Sequence, residues 1–546
     1  MSPDDSALDA YASMTVENWF LTAEERGNPD TDIDRRRGDG RAWTEGNQVE
    51  ALVHGANYFR RLHAALSSTT PGDWVHFTDW RGDPDERLAG EGTELGPLLR
   101  KLASSGVHVR GLLWRSHPHQ MRFSEQEAVS LAETVNEVGG EILLDERIRR
   151  MGCHHQKLVL IRHPSNEDKD IAFVGGIDLC HGRNDDESHT GDLQPIDLDP
   201  RYGPHPPWHD VQLALEGPVI GDLAHTFRER WEDPTPLDHK GPWTRHLKKV
   251  AREPRKAGPL PPMPDDPKPR GPHTVQVLRT YPEKGPPFPF ARRGERSVAR
   301  AYRKVLARAR RLIYLEDQYL WSEEVADFLA DALEASPDLH LIAVVPRFPD
   351  QDGRLSGPPN RIGQQAAMDH VQAVGGDRVA VYNIENENGR PIYVHAKVCV
   401  IDDTWAAVGS DNLNLRSWTH DSELSCSVLD ETRDEREPSD PGGMGDGARV
   451  FARELRLQLW REHLGADVAE DVLLDPARGF AEWKARASAL EEWHRSGRRG
   501  PRPTGRARPH DPGRVQWWAK WWAYPFYRTV VDPDGRPRDL KKAKNF

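Results

Sequence analysis

Cysteine is scarce in this 546-residue chain: Cys153, Cys180, Cys399 and Cys426 are the only four, and no two stand as a CxxC pair. That excludes a disulfide framework and a thiolate zinc knuckle, so the four read as buried thiols lining a packed centre. Long apolar runs are missing too. The opening MSPDDSALDAYASMTVENWF carries acids where a secretory leader carries bases, and no stretch approaches the length of a membrane span. The expectation is a cytoplasmic protein, at most peripheral to a membrane. Positive charge is in deficit, with a formal net charge of -13. That argues against a general nucleic-acid binder, whose backbone contacts need a basic surface.

What is present is concentrated in residues 393–426, YVHAKVCVIDDTWAAVGSDNLNLRSWTHDSELSC. Two apolar runs, 398–401 and 405–408, flank Asp402, Asp403 and Thr404 and predict a strand, turn and strand. Strand alternation would set His395 and Lys397 on one face. An imidazole beside an ammonium on a rigid base suits a phosphoryl group.

The rest of the chain alternates helix and strand, the pattern of an α/β layered fold. Residues 47–67 read as a helix, interrupted at Gly55; strands follow at 74–77, 107–114 and 142–144, with helical stretches ending at 103 and 137. The order returns in the second half, with helices at 298–309, 325–333 and 361–374 and strands at 312–315, 339–345 and 379–382. The letters repeat as well: HHQKLVL (154–160) against VHAKVCV (394–400), AFVGGIDL (172–179) against AAVGSDNL (406–413), WHDVQLAL (208–215) against HDSELSCS (420–427). Such duplication predicts two pseudo-symmetric lobes, each a mixed β-sheet flanked by helices, sharing one interfacial site. The boundaries read as an extension over 1–45 anchored by Trp19 and Phe20, lobes at 46–250 and 273–480, a Pro-rich linker at 251–272, and an extension over 481–546. Residues 495–514 read as loop.

With two histidines facing one phosphorus atom, one attacks and the other protonates the departing alkoxide; Lys157 and Lys397 neutralise the non-bridging oxygens. Each histidine needs a carboxylate behind its other nitrogen, and Asp210 and Glu423 are the candidates. Asp178 and Asn412, just past the glycine corners, are placed to hydrogen-bond the phosphate or the lysines, with Ser410 beside them. No metal is needed, and no compact His, Asp and Glu set stands out as a metal site.

These motifs resemble the phospholipase D superfamily. HxKxxxxD followed by GSxN is complete as His395, Lys397, Asp402, Gly409, Ser410 and Asn412. The first copy keeps His155 and Lys157 but has Arg162 where the pattern asks for Asp, leaving Asp168 or Asp170 of the following insertion as substitutes. FVGGIDLCHGR (173–183), PWHDVQLALEGP (207–218), IYLEDQYLW (313–321), RSWTHDSEL (416–424) and RLQLWREHLG (456–465) resemble the eukaryotic, plant-type enzymes in family order. The resemblance spans roughly residues 47–465. It implies hydrolysis of phosphatidylcholine-like lipids to phosphatidate, with transfer to water or a primary alcohol. It also implies His155 as nucleophile, His395 as general acid and Asp402 as a structural brace.

No cofactor is expected; the acidic run of Asp185, Asp186 and Glu187 is the one calcium candidate, and only about 45 residues precede the first lobe, too few for a calcium-binding β-sandwich. The expected partner is a phospholipid membrane or micelle surface, with no nucleic acid and no obligate oligomer. The aromatic run WWAKWWAYPFY (517–527) is read as a cap over the catalytic body, the alternative being an interfacial anchor helped by the basic residues 495–508. The competing functions are a nuclease-type phosphodiesterase, a lipid-synthesising phosphatidyl transferase and a non-catalytic lipid-binding scaffold.

Overall fold

The computed structural model describes residues 16–115, 125–237, 256–320, 322–350 and 357–546. The first fifteen residues of the N-terminal segment, the linker's start at 251–255 and Trp321 lie outside them. β1 (Thr44–Val53) corrects the helix expected over 47–67, which begins only at Gly55–Ser67. The helical spacing of Val49, Leu52 and Val53 is that of a strand between two neighbours: Val49 and Val53 join one core and Leu52 the core on the opposite face. Exposed Gln48 and Glu50 alternate with buried Asn47 and Val49, but Leu52 and Val53 are both buried, so the period-two signature breaks at the end of the strand. Gly55 is required there, since a Cβ would meet the Arg183 carbonyl at 1.7 Å.

The first half supplies β1, β2 (Trp74–Asp79), β3 (His108–Trp114), β4 (Glu141–Asp145), β5 (Leu158–Arg162), β6 (Ile171–Gly175), β7 (Trp208–His209) and β8 (Val211–Glu216). The second supplies β9 (His273–Tyr281), β10 (Glu295–Arg296), β11 (Leu312–Glu316), β12 (His340–Val344), β13 (Val379–Ile384), β14 (Tyr393–Val394), β15 (Val398–Ile401), β16 (Trp405–Gly409), β17 (Glu423–Asp430) and β18 (Ala507–Pro509). From the middle outward the halves read β1-β8-β6-β5-β2-β3-β4 and β9-β17-β16-β15-β11-β12-β13, the same order twice. They join through antiparallel pairing of the equivalent strands β1 and β9, with Thr44 opposite Val275 and Asn47 opposite His273. The two expected sheets are thus one continuous sheet of mixed direction. One of its faces carries a core shared by both halves, in which Leu223 and Phe227 of the helix Val219–Trp231 lie with Leu455 and Leu459 of the helix Val450–Leu464.

The segments that flank the two lobes pack closely onto them. Trp19 and Phe20 are buried against the second half, with Val298 and Tyr302, so the N-terminal segment ties the halves together. Linker residues pack onto the first half and onto the N-terminal segment: Trp231 donates to the Gly258 carbonyl at 2.7 Å and Arg36 pairs with Asp266 at 2.6 Å. The helix Pro476–Arg495 runs across the boundary set at 480, because Trp483 completes the shared core. Within the expected loop 495–514, β18 pairs with β13.

The tail corrects the expected cap. Only Ala519, Ala523 and Tyr527 of 517–527 are buried, against Ile362 and Val515. Trp517 is 75 %, Trp518 58 % and Trp521 82 % exposed. Small residues at the helical spacing of four face the protein, so the large rings face out. Among the described residues no helix is long and apolar enough to cross a membrane.

Candidate active site

The hairpins β5–β6 and β15–β16 occupy equivalent places in the two half-sheets, and each is entered through a short parallel contact with the other half. β14 runs beside β7 with Val394 opposite His209, and an isolated bridge sets His154 opposite Ser422. One residue further along each segment, a histidine stands beside a carboxylate of the opposite half. His395 Nδ1 lies 2.7 Å from Asp210 Oδ2, and His155 Nδ1 lies 2.8 Å from Glu423 Oε2. The wiring is therefore crossed. With Nδ1 engaged, Nε2 of each ring is the nitrogen left for chemistry.

The surroundings hold these carboxylates closely. A Cβ at Gly176 would meet Asp210 Oδ1 at 2.1 Å, so the glycine corner admits the carboxylate. Ser410 stands at the matching position of the other half and donates its hydroxyl to Glu423 Oε2 at 2.6 Å; expected on the substrate, it orients the carboxylate instead. His395 and Lys397 lie in the link between β14 and β15 rather than within one strand. Each lysine ammonium turns back onto its own motif, Lys397 to the carbonyl of His395 and Lys157 to that of His155 at 3.2 Å.

The half-sites are not equal. Lys157 Nζ pairs with Asp178 Oδ1 at 2.9 Å, and Arg183 donates to the other oxygen at 3.1 Å. Burial works against both charges, but Asp178 and Asp79 raise the lysine above its ordinary value. Burial also opposes the Asp178 carboxylate, yet Lys157, Arg183 and both motif histidines hold it far below the usual range. Both imidazoles thus act on one carboxylate. In the second half the repeat places Asn412 where the first has Asp178. Lys397 has the neutral Gln318 Oε1 at 3.3 Å, and burial pulls it down to about 8 against the pull of Asp210 and Asp317. Burial, then Lys397 and Arg183, keep the His395 imidazole well below its ordinary value, while burial raises Asp210 despite Lys397.

This asymmetry yields a pH prediction. The Lys397 ammonium is present below its value of about 8 and lost as pH rises through it, so kcat/KM should fall on an alkaline limb there. Asn412→Asp restores the missing carboxylate and should move that limb upward by about 1–3 units, read from a pH–rate profile.

Asp402 accepts from the backbone N–H groups of Arg310, Arg311 and Leu312 at 2.7, 2.8 and 2.7 Å, pinning its hairpin to the start of β11. In the first half Arg162 pairs instead with Asp170 Oδ2 at 2.8 Å, whose other oxygen accepts from His163 N at 2.5 Å. His163 Nδ1 then reaches Asp73 Oδ2 at 2.8 Å, just before β2. The brace is kept with its polarity reversed. Asp168, the other substitute considered, pairs with Arg270 at the surface.

Several site residues were not foreseen. Gln318 donates to Tyr319 Oη and Tyr393 Oη at 2.9 and 2.7 Å, a bridge from Lys397 toward the tail. Arg183 lies over the Trp208 ring at 4.0 Å. Both sit inside quoted motifs, IYLEDQYLW and FVGGIDLCHGR, which was the available signal. The calcium candidate is otherwise engaged: Asp185 accepts from the N–H groups of Trp208 and Gly191 at 2.8 and 3.1 Å. The expectation of no metal-type cluster is corrected, because folding gathers His54, His189, His209 and Glu462 from across the chain.

The sequence pattern described as phospholipase D matches residues 82–335 and 360–498. The chain belongs to the phospholipase D family. Phospholipase D alpha 1 of Zea mays is 26 % identical over 536 residues, covering 75 % of this chain and 63 % of that protein. Phospholipase D alpha 1 of Nicotiana tabacum is 27 % identical over 550 residues, covering 77 % and 64 %. The chain thus spans less than two thirds of the length of these relatives. The crystal structure of phosphatidylserine synthase of Haemophilus influenzae Rd KW20 overlaps 70 % of this chain and 83 % of its own, with a TM-score of 0.49 and 13 % identity.

Proposed function

We propose that this phospholipase D family member hydrolyses the distal phosphodiester of glycerophospholipids, phosphatidylcholine-like ones among them, and transfers the phosphatidyl group to water or a primary alcohol. The crossed pairs His155–Glu423 and His395–Asp210 carry the reading. His155 Nε2 attacks phosphorus, the P–O bond to the headgroup breaks, and His395 Nε2 gives its proton to the leaving alkoxide. His395 then takes a proton from water or alcohol, whose oxygen attacks phosphorus and releases His155. Lys157 and Lys397 hold the non-bridging oxygens. Burial, Lys397 and Arg183 disfavour an imidazolium at His395. The diester anion supplies the charge that offsets them, so substrate binding loads the acid.

The test is choline release and phosphatidylalcohol formation from phosphatidylcholine vesicles, with and without a primary alcohol, beside single-stranded and duplex DNA. His155→Ala and His395→Ala should each abolish both lipid products. Cleavage of DNA alone would make the protein a nuclease, and no turnover of any diester would make it a scaffold.

Contact with the lipid surface is assigned to the exposed face of Trp517–Phe526, whose aromatic rings suit a membrane interface. Tyr319 packs against this helix's buried side and bonds Gln318, the neighbour of Lys397, so the surface lies close to the cleft. Trp517→Ala and Trp521→Ala should each weaken vesicle binding about tenfold in a sedimentation assay. A monomeric short-chain lipid separates this docking loss from chemistry.

A further inference from the structure

One residue before Asp210, and separate from the phosphodiester cleft, three histidine rings converge on a single carboxylate. His54 Nε2 lies 2.9 Å from Glu462 Oε2, His189 Nε2 2.8 Å from Glu462 Oε1, and His209 Nδ1 3.5 Å from the same oxygen. All four donor atoms fall within 4.8 Å of one another, and the three histidines are buried. We propose that His54, His189, His209 and Glu462 bind one divalent transition-metal ion of the zinc class, locking the element that carries Asp210 to the helix Val450–Leu464.

The donor geometry carries the argument. His189 Nδ1 lies 3.1 Å from the Trp208 carbonyl, an acceptor only, so Nε2 is the ring nitrogen turned to Glu462. His209 Nε2 lies 2.6 Å from Glu316 Oε2 and holds its proton there, so Nδ1 is the nitrogen turned to Glu462. His209 Nδ1 is buried with no hydrogen-bond partner. Three ring nitrogens crowd one carboxylate, and a cation binding there would displace the protons they carry toward it. Donating the far ring nitrogen to a carboxylate or carbonyl is also how metal-bound histidines are oriented. Glu316 is held in turn by His463 at 2.7 Å and by the Tyr314 hydroxyl at 2.5 Å.

The set fits the ion. Three imidazoles and one carboxylate suit zinc-class metals, whose bonds of about 2.0–2.1 Å put tetrahedral donors about 3.3–3.4 Å apart. The donor separations, from 2.8 Å to no more than 4.8 Å, straddle that spacing. A dication is balanced by Glu462 and Glu316; Arg506, 3.5 Å from Glu462 Oε1, is offset by Asp185, 3.6 Å from His189 Nδ1. Two of the ligands, His54 and His189, stand at positive φ (72° and 49°), backbone that a non-glycine residue adopts at a cost.

The experiment uses the full chain, stripped with a chelator and titrated with Co²⁺ and then Zn²⁺, reading metal content and the visible absorption of tetrahedral Co²⁺. One equivalent should bind and show that absorption, and Zn²⁺ should displace it. His189→Gln and Glu462→Gln, checked for folding by circular dichroism, should each lower affinity at least 100-fold. Failure of the stripped wild-type chain to bind a stoichiometric metal overturns the site without reference to any variant, and leaves protonated imidazoles around Glu462. Equal binding by folded variants also overturns it. Neither result depends on turnover, so the lipid reading stands or falls separately.

Discussion

Glu423→Gln is expected to lower turnover about a thousand- to ten-thousand-fold, although Glu423 belongs to the opposite half from the histidine it serves. The His155 Nδ1 contact of 2.8 Å would face an amide that can present its NH₂ group, favouring the tautomer with a proton on the attacking nitrogen. The side chain keeps its size, and the Ser410 hydroxyl, which meets the same oxygen as His155, can turn to accept from the NH₂ group, so the loss falls on chemistry rather than folding. Crossing makes the pattern of combined variants diagnostic. Glu423→Gln should add little to His155→Ala, because the carboxylate acts through that ring, and should multiply the effect of Asp210→Asn. Steady-state turnover of the three single and two double variants checks it. If Glu423→Gln combines additively with His155→Ala in free energy, the assigned pairing is wrong.

Restoring the family's aspartate by Arg162→Asp is expected to destabilise the protein by about 3–5 kcal/mol, the cost of leaving a buried charge without its partner. Arg162 and Asp170 are both buried and meet at 2.8 Å, and the guanidinium also donates to the Asp265 carbonyl at 2.7 Å. The substitution sets two carboxylates against each other and releases the linker contact. Denaturant unfolding reads the loss; an unchanged midpoint would mean that the arginine braces nothing. The motif is thus a poor guide to stability in the first half, where the surroundings have adapted to a residue of opposite charge.

The repeat made much of the architecture legible. The matched letters around His155 and His395 follow equivalent strands, and the two strand orders coincide because each half repeats the same apolar pattern. β1 was misread because its last two residues, Leu52 and Val53, are both buried, which breaks the alternation seen over 47–50 and leaves apolar residues at helical spacing. The Trp helix was misread because composition does not say which side a run presents; Ala519 and Ala523, four apart, were the sign that the small face is the buried one. His54, His189, His209 and Glu462 could not be grouped by spacing, since their proximity arises only once strands and loops from both halves assemble. The crossed wiring was invisible for the same reason: it depends on two parallel contacts, one of two residue pairs and one a single bridge.

The seam between β1 and β9 joins equivalent strands in antiparallel register, the contact that a two-fold axis produces when identical edges meet. A chain of half this length, meeting a copy of itself along that edge, would already own a complete reaction centre. It could never own an unequal one, because every residue would occur twice. Fusion into one polypeptide lifts that constraint, and Asp178 facing Lys157 while Asn412 takes the matching place is a difference that two identical copies could not carry.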